Sequence, residues 1–172
     1  MFIELNQTED PEIDFYHIYQ PDALLLNAET VRLAEPLEVQ GKVRKQPIGV
    51  KLIGQLKTAL EVFCNRCLQN FNFPLNVQFE ENFVTSEDFS SQSELELKND
   101  TDFSLSVFDG ERINLDEAVQ EQIWLNLPDR LLCRENCQGI CPHCGANKNE
   151  VNCHCEVKEI DPRWQKLRDL TK

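Results

Sequence analysis

Residues 133–155 read CRENCQGICPHCGANKNEVNCHC, and the rest of the chain is best read outward from them. The stretch holds six of the eight cysteines, as Cys133-x3-Cys137, Cys141-x2-Cys144 and Cys153-x-Cys155. Cys64 and Cys67 form a further close pair upstream. Thiolates two to four residues apart reach one metal ion without straining the backbone, and tetrahedral zinc takes four of them. Eight thiols in four close pairs therefore divide into two four-cysteine sites, implying two structural zinc ions. Gly139 and Gly145 lie beside ligands, where a chain turning around an ion needs positive φ. Disulfides and iron–sulfur clusters draw on the same residue type. The acidic opening MFIELNQTEDPEIDFY has neither a basic n-region nor a continuous apolar run, which argues against a secretory signal and an oxidising destination. No stretch approaches the roughly 20 apolar residues of a membrane span.

Local loop closure assigns Cys141, Cys144, Cys153 and Cys155 to one site. Cys64 and Cys67 then join Cys133 and Cys137, pinning the C-terminal segment to the body. The alternative set is Cys137, Cys141, Cys144 and one of Cys153 or Cys155, which leaves Cys64 and Cys67 as a redox-capable pair. His143 and His154 lie between ligands and are expected to face solvent.

The 172 residues suit a body over 1–132 and a cysteine-rich segment over 133–172. A net charge of −13 argues against a surface that coats nucleic acid throughout. The charge is uneven, however. Residues 133–172 carry 6 acidic and 7 basic side chains, and Val39 to Leu60 holds Lys42, Arg44, Lys45, Lys51 and Lys57 with no acid. Lys42, Arg44, Lys45 and Lys51, with Arg163, Lys166 and Arg168 near the end of the chain, are the candidate RNA contacts. If the metal ties Cys64 to Cys133, these two basic regions are expected at one end of the molecule. The acidic remainder could equally steer a basic protein.

Along the chain, residues 1–22 read as an edge strand and an irregular connection. Pro36 bars a helix through Ala23 to Glu38. Alternation begins at Leu37, Val39, Gly41 and Val43, turns at Gln46-Pro47, and resumes at Val50. Phe71, Phe73, Leu75, Val77 and Phe79 keep strict period two. Cys64-Asn65-Arg66-Cys67 then falls at a hairpin end. Thr85 to Asp102 is acidic and serine-rich and reads as a loop. A short strand fits Phe103 to Phe108, and a helix fits 114–127, capped by Asn114, with Leu115, Ala118, Val119, Ile123 and Leu127 on one face. Asp161-Pro162-Arg163-Trp164 opens a last helix. The expected fold is α+β: a small antiparallel sheet or open barrel, one core helix, and a zinc-binding segment ending in a short helix.

A closed four-thiolate site keeps no position for a reacting water. Only His17 lies outside the cysteine-rich stretch, and no nucleophile–base arrangement or phosphate-binding loop accompanies it. No enzymatic activity is expected.

Cys64-Asn65-Arg66-Cys67-Leu68 resembles the C-x-R-C-L signature of the YceD family, the large ribosomal RNA subunit accumulation proteins. Cys133-x3-Cys137-x-Gly139-Ile140-Cys141-Pro142-x-Cys144-Gly145-x-Asn147 is similar to that family's C-terminal block, and Asp161-Pro162-Arg163-Trp164 with Leu167 to its closing helix. Lys148 departs from it, standing where the family often has an apolar residue. The resemblance implies a non-enzymatic factor promoting accumulation of large-subunit (23S) ribosomal RNA, bound directly or through a ribosomal protein. It implies a bacterial cytoplasmic setting, or a chloroplast one if a transit peptide has been removed. The alternative is an acidic adaptor or chaperone for a basic ribosomal protein.

Overall fold

The structure, a computed structural model, describes residues 1–6, 10–24, 26, 30–92 and 105–155. Its centre is one long antiparallel hairpin. Strand β5 (Val50–Phe63) pairs with β6 (Asn70–Thr85) from Val50↔Phe83 through Phe63↔Asn70. β4 (Leu37–Lys45) lies along the first part of β5, and β3 (Val31–Leu33) takes the rest of the same edge. β2 (Glu12–Tyr19) pairs with β4, and β7 (Leu105–Phe108) runs beside the end of β6, giving the open order β2-β4-β5-β6-β7. β1 (Phe2–Glu4) and β8 (Arg112–Asn114) form a separate two-stranded sheet.

Period-two alternation sends one set of side chains inward. Leu37, Val39 and Val43 of β4 and Leu52, Leu56 and Leu60 of β5 are wholly buried. Helix α2 (Leu115–Leu125) closes this face with Leu115, Ala118, Val119 and Ile123, beside Ile3 and Ile113 of the small sheet. Each such Leu or Ile contributes about 1.5–3 kcal/mol by leaving water. Asn114 caps α2 by accepting from the Asp116 N–H at 3.2 Å.

Row Phe15–Gly41–Gly54–Phe79 crosses the sheet at its tightest point. A Cβ on Gly41 would fall 2.1 Å from the Ile53 carbonyl oxygen, and one on Gly54 would fall 2.6 Å from the Phe79 ring. The flanking phenyl rings cover the two glycines from the core side, replacing the side chains that the backbone has no room for.

Several elements differ from expectation. Residues 12–19 are an eight-residue edge strand rather than an irregular connection; Phe15 and Tyr19 are buried and His17 shares their parity, which masked the alternation. The main sheet is mixed, because β7 runs parallel to β6. Ser86–Gln92, expected as loop, is a helix, α1. Thr85 caps it: the Asp88 N–H donates to Thr85 Oγ1 at 3.2 Å, and that hydroxyl donates back to Asp88 Oδ2 at 2.8 Å. Helix α2 stops at Leu125, two residues short of the expected 127. Residues 93–102, Phe103 and the expected helix from Asp161, with Arg163, Lys166 and Arg168, lie outside the described residues.

Glu81 on β6 is the one buried carboxylate among the described residues, 4% exposed. Ser106 Oγ donates to its Oε1 at 2.5 Å, while Oε2 has no partner among the described residues. Burial, with some repulsion from Glu121, pushes its pKa above the ordinary glutamate value, and the Ser106 hydrogen bond offsets part of this. A raised folded-state pKa stabilises the protein in acid, and that contribution is lost as pH rises through it. Glu81→Gln is therefore expected to raise the urea midpoint at pH ~7 and to leave it unchanged at pH ~4, below the unfolded-state pKa.

Candidate metal centres

The β5–β6 hairpin ends in a cysteine turn. Cys64 N–H donates to Gln69 O and Leu68 N–H to Cys64 O, each at 2.9 Å, which brings both thiols to one side. Cys133 and Cys137 arrive from the chain that follows α2. Cys64 Sγ lies 3.7 Å from Cys137 Sγ, and Cys67 Sγ lies 3.7 Å from Cys133 Sγ. Sulfurs about 2.3 Å from a central zinc stand about 3.8 Å apart in a tetrahedron. All four ligand atoms lie within 4.8 Å of one another, and so do those of Cys141, Cys144, Cys153 and Cys155. All eight are free thiols. The two groups match the local-closure assignment, and the alternative set is not assembled. His143 and His154 are exposed.

Two side chains, Asn65 and Arg66, join the two parts of the first group, a third, Asn149, holds Cys137 from within the segment of the second, and the spacing argument did not single them out. The Asn65 N–H donates to Leu131 O at 2.8 Å, and the Leu131 N–H donates to Asn65 Oδ1 at 2.5 Å. Arg66 Nη1 donates to Cys137 O at 3.0 Å, while Arg66 O accepts from the Ile140 N–H at 3.0 Å. Gly139, at φ +73, passes so close that a Cβ would sit 3.0 Å from Arg66 O. Asn149 Nδ2 donates to Cys137 Sγ at 3.3 Å, and Asn149 Oδ1 accepts from the Gln138 N–H at 2.8 Å. The available signal was an amide and a guanidinium placed inside a metal-binding turn.

The second group is a local knuckle. Gly145 N–H donates to Cys141 O at 2.9 Å and Cys141 N–H to Ala146 O at 2.8 Å, with an antiparallel bridge between Ile140 and Asn147. Cys141 is buried, whereas Cys144 and Cys155 are exposed.

The electrostatics of both groups ask for a cation. Burial pushes the Cys64 thiol up, but N–H groups of Cys133, Cys67 and Arg66 bring it down to about 6. The N–H groups of Cys144 and His143 lower Cys141 to about 6. Burial and the neighbouring Cys67 and Cys64 drive Cys133 up to about 12. Cys144, then burial, does the same to Cys155, also about 12. Four thiols this close cannot all ionise against their mutual repulsion, and a divalent cation at their centre removes that repulsion. The donor sets fit a metal ion in each group.

Residues 52–171 match the family model described as large ribosomal RNA subunit accumulation protein YceD. The chain belongs to the YceD family. Uncharacterized proteins of Mycobacterium tuberculosis and Mycobacterium bovis are each 26% identical to it over 153 residues, covering 89% of this chain and 70% of theirs. A protein of Arabidopsis thaliana named large ribosomal RNA subunit accumulation protein YCED homolog 1, chloroplastic, is 26% identical over 155 residues, covering 78% of this chain and 48% of its own. No solved structure matches the chain significantly. The family name ties this YceD chain to the large ribosomal subunit RNA.

The two Cys-x-x-Cys turns of this YceD chain share one backbone. Leu68 (φ +61) and Gly145 (φ +72) follow the second cysteine of their pairs and make the same hydrogen bond to the first. Leucine in this left-handed conformation costs about 1–2 kcal/mol, which glycine avoids. Leu68 is 60% exposed and has little packing to lose. Leu68→Gly is therefore expected to raise stability by about 0.5–1 kcal/mol after the greater unfolded-state entropy of glycine is subtracted. A urea midpoint below wild type would refute the strain.

The basic strand pair carries more compensation than its sequence suggested. Glu12 of β2 accepts from Lys42 at 3.1 Å and Arg44 at 2.7 Å, and Lys51 pairs with Glu80 of β6. Lys45 closes β4 opposite Val50. The metal was expected to draw the two basic regions to one end of the molecule; Arg163, Lys166 and Arg168 lie outside the described residues, and the first region does not lie at the metal's end. Instead, Lys42, Arg44, Lys45 and Lys51 lie toward the opposite end of the 14-residue β5 from the cysteine turn. At roughly 3.3 Å per residue, most of a strand separates them from Cys64. The reason is that β5 runs unbroken from the Gln46–Gly49 turn to Phe63.

Proposed function

We propose that this chain is a non-enzymatic ribosome assembly factor that promotes accumulation of large-subunit ribosomal RNA, with a structural zinc ion in each four-cysteine group. The observation that carries the reading is the family match, which spans all eight cysteines. Zinc suits sulfur distances of 3.7 Å and all-thiolate donor sets. Four protein ligands per ion leave no position for substrate, which favours a scaffold over a catalyst. Within the cell the reading places the protein in the bacterial cytoplasm. No helix among the described residues is long and apolar enough to cross a membrane.

Two measurements test this. Protein purified under reducing conditions should carry two equivalents of zinc, and a metal content near zero would exclude structural zinc. Depleting the protein should lower large-subunit ribosomal RNA relative to small-subunit RNA, and the tagged protein should co-sediment with large-subunit precursor particles. Unchanged RNA ratios and no co-sedimentation would exclude the ribosomal role. The net charge of −13 and the carboxylates paired with Lys42, Arg44 and Lys51 favour a second reading, in which the factor holds a basic ribosomal protein. Binding to a ribosomal protein without RNA would select it.

A further inference from the structure

On the solvent face of the main sheet, above the row Phe15–Gly41–Gly54–Phe79, an open trough of about 850 Å³ crosses four strands. Strand alternation puts Tyr16, Gln40, Gln55 and Gln78 along one wall, each opposite the next in the strand register. Asp14, Lys42, Ile53 and Glu80 form the other wall in the same way. The backbones of Gly41 and Gly54 are in the floor. They cannot be replaced without a collision on the core side, so the floor is held by the backbone. Tyr16 is 59% exposed, an aromatic face presented to solvent at the β2 end.

We propose that this trough binds a short run of unpaired RNA, with a base stacked on Tyr16 and others read by the glutamine wall. Carboxamides present a donor beside an acceptor, the pattern that matches nucleobase edges, and aromatic faces stack bases of any sequence. β4 and β5, in the middle of the trough, have both edges paired, so an extended peptide would add at the open edge of β2 rather than lie across the glutamine wall. Lys42 and, beyond it, Arg44 stand at one border and can take phosphate when it displaces Glu12. Asp14 and Glu80 disfavour phosphates lying in the trough and leave it to the neutral bases. Duplex RNA, whose bases are stacked inward, does not fit.

This inference rests on the ribosomal reading and deepens it. Anisotropy of a labelled single-stranded oligoribonucleotide should show binding by the full chain, and the same sequence annealed to its complement should bind more weakly. Tyr16→Ala should weaken the single-stranded affinity about tenfold, and Gln55→Ala should weaken it less. Both side chains stand on the solvent face, so circular dichroism should remain that of wild type. Equal affinity of wild type and Tyr16→Ala, a preference for duplex, or capture of a ribosomal protein with no RNA binding would each overturn the proposal. Co-sedimentation separates the two levels. If wild type and Tyr16→Ala travel equally with precursor particles, the trough is not the contact and the ribosomal role stands; if wild type does not travel with them, the role itself fails.

Discussion

Cys64→Ser is expected to lose one of two metal equivalents and to leave the chain largely unfolded, whereas Cys144→Ser loses the other equivalent and keeps the sheet. The asymmetry follows from position. Cys64 is completely buried at the tip of the β5–β6 hairpin and shares its group with Cys137, 73 residues away. Apparent binding energies of structural zinc reach about 10 kcal/mol or more. That is comparable to the whole stability of a domain, about 5–15 kcal/mol. The second group spans only Cys141 to Cys155, and Cys144 is exposed, so its loss should free the cysteine-rich end without opening β4–β6. Metal analysis with far-ultraviolet circular dichroism checks both variants. Two retained equivalents and a wild-type spectrum for Cys64→Ser would reject the assignment of that ligand.

Gly41→Ala is expected to cost about 3 kcal/mol, the upper end of what overpacking does. The added methyl would lie 2.1 Å from the Ile53 carbonyl and 2.7 Å from Gly54 Cα, both backbone atoms of a central strand. Neither can turn aside as a side chain would, so β4 must separate from β5. Gly54→Ala should cost less, because its methyl meets the Phe79 ring, which can move. Urea unfolding of both variants gives the comparison, and a Gly41→Ala midpoint equal to wild type would contradict the crowding at this row.

The cysteine pairing was legible because ligand spacing is a local property and thiolate chemistry has few outlets. Strand β6 was legible only in part. Its alternation from Phe71 to Phe79 is plain, but Glu81 occupies the next inward position, so the strand reads as ended where it continues to Thr85. Strand β5 hides in the same way, since Thr58, Ala59 and Leu60 are buried in succession where β3 takes over from β4. The capping pair Thr85 and Asp88 was visible in TSED, yet the acidic composition around it argued for loop. The charge pattern misled for a different reason. Lys42 and Arg44 have no acid near them in sequence, but an antiparallel neighbour supplies Glu12 from thirty residues away. Cross-strand partners are fixed by register, and a single strand does not reveal its register.

In polymer terms, a metal held by Cys64, Cys67, Cys133 and Cys137 is a cross-link. It closes a loop of about 70 residues, a constraint that for a covalent bridge lowers the freedom of the unfolded chain by about 4 kcal/mol. Unlike a disulfide, such a link persists where thiols stay reduced and is undone by chelation. It also fastens the hairpin tip to the cysteine-rich end directly. The short knuckle then stays tethered to the long sheet for as long as that metal stays in place.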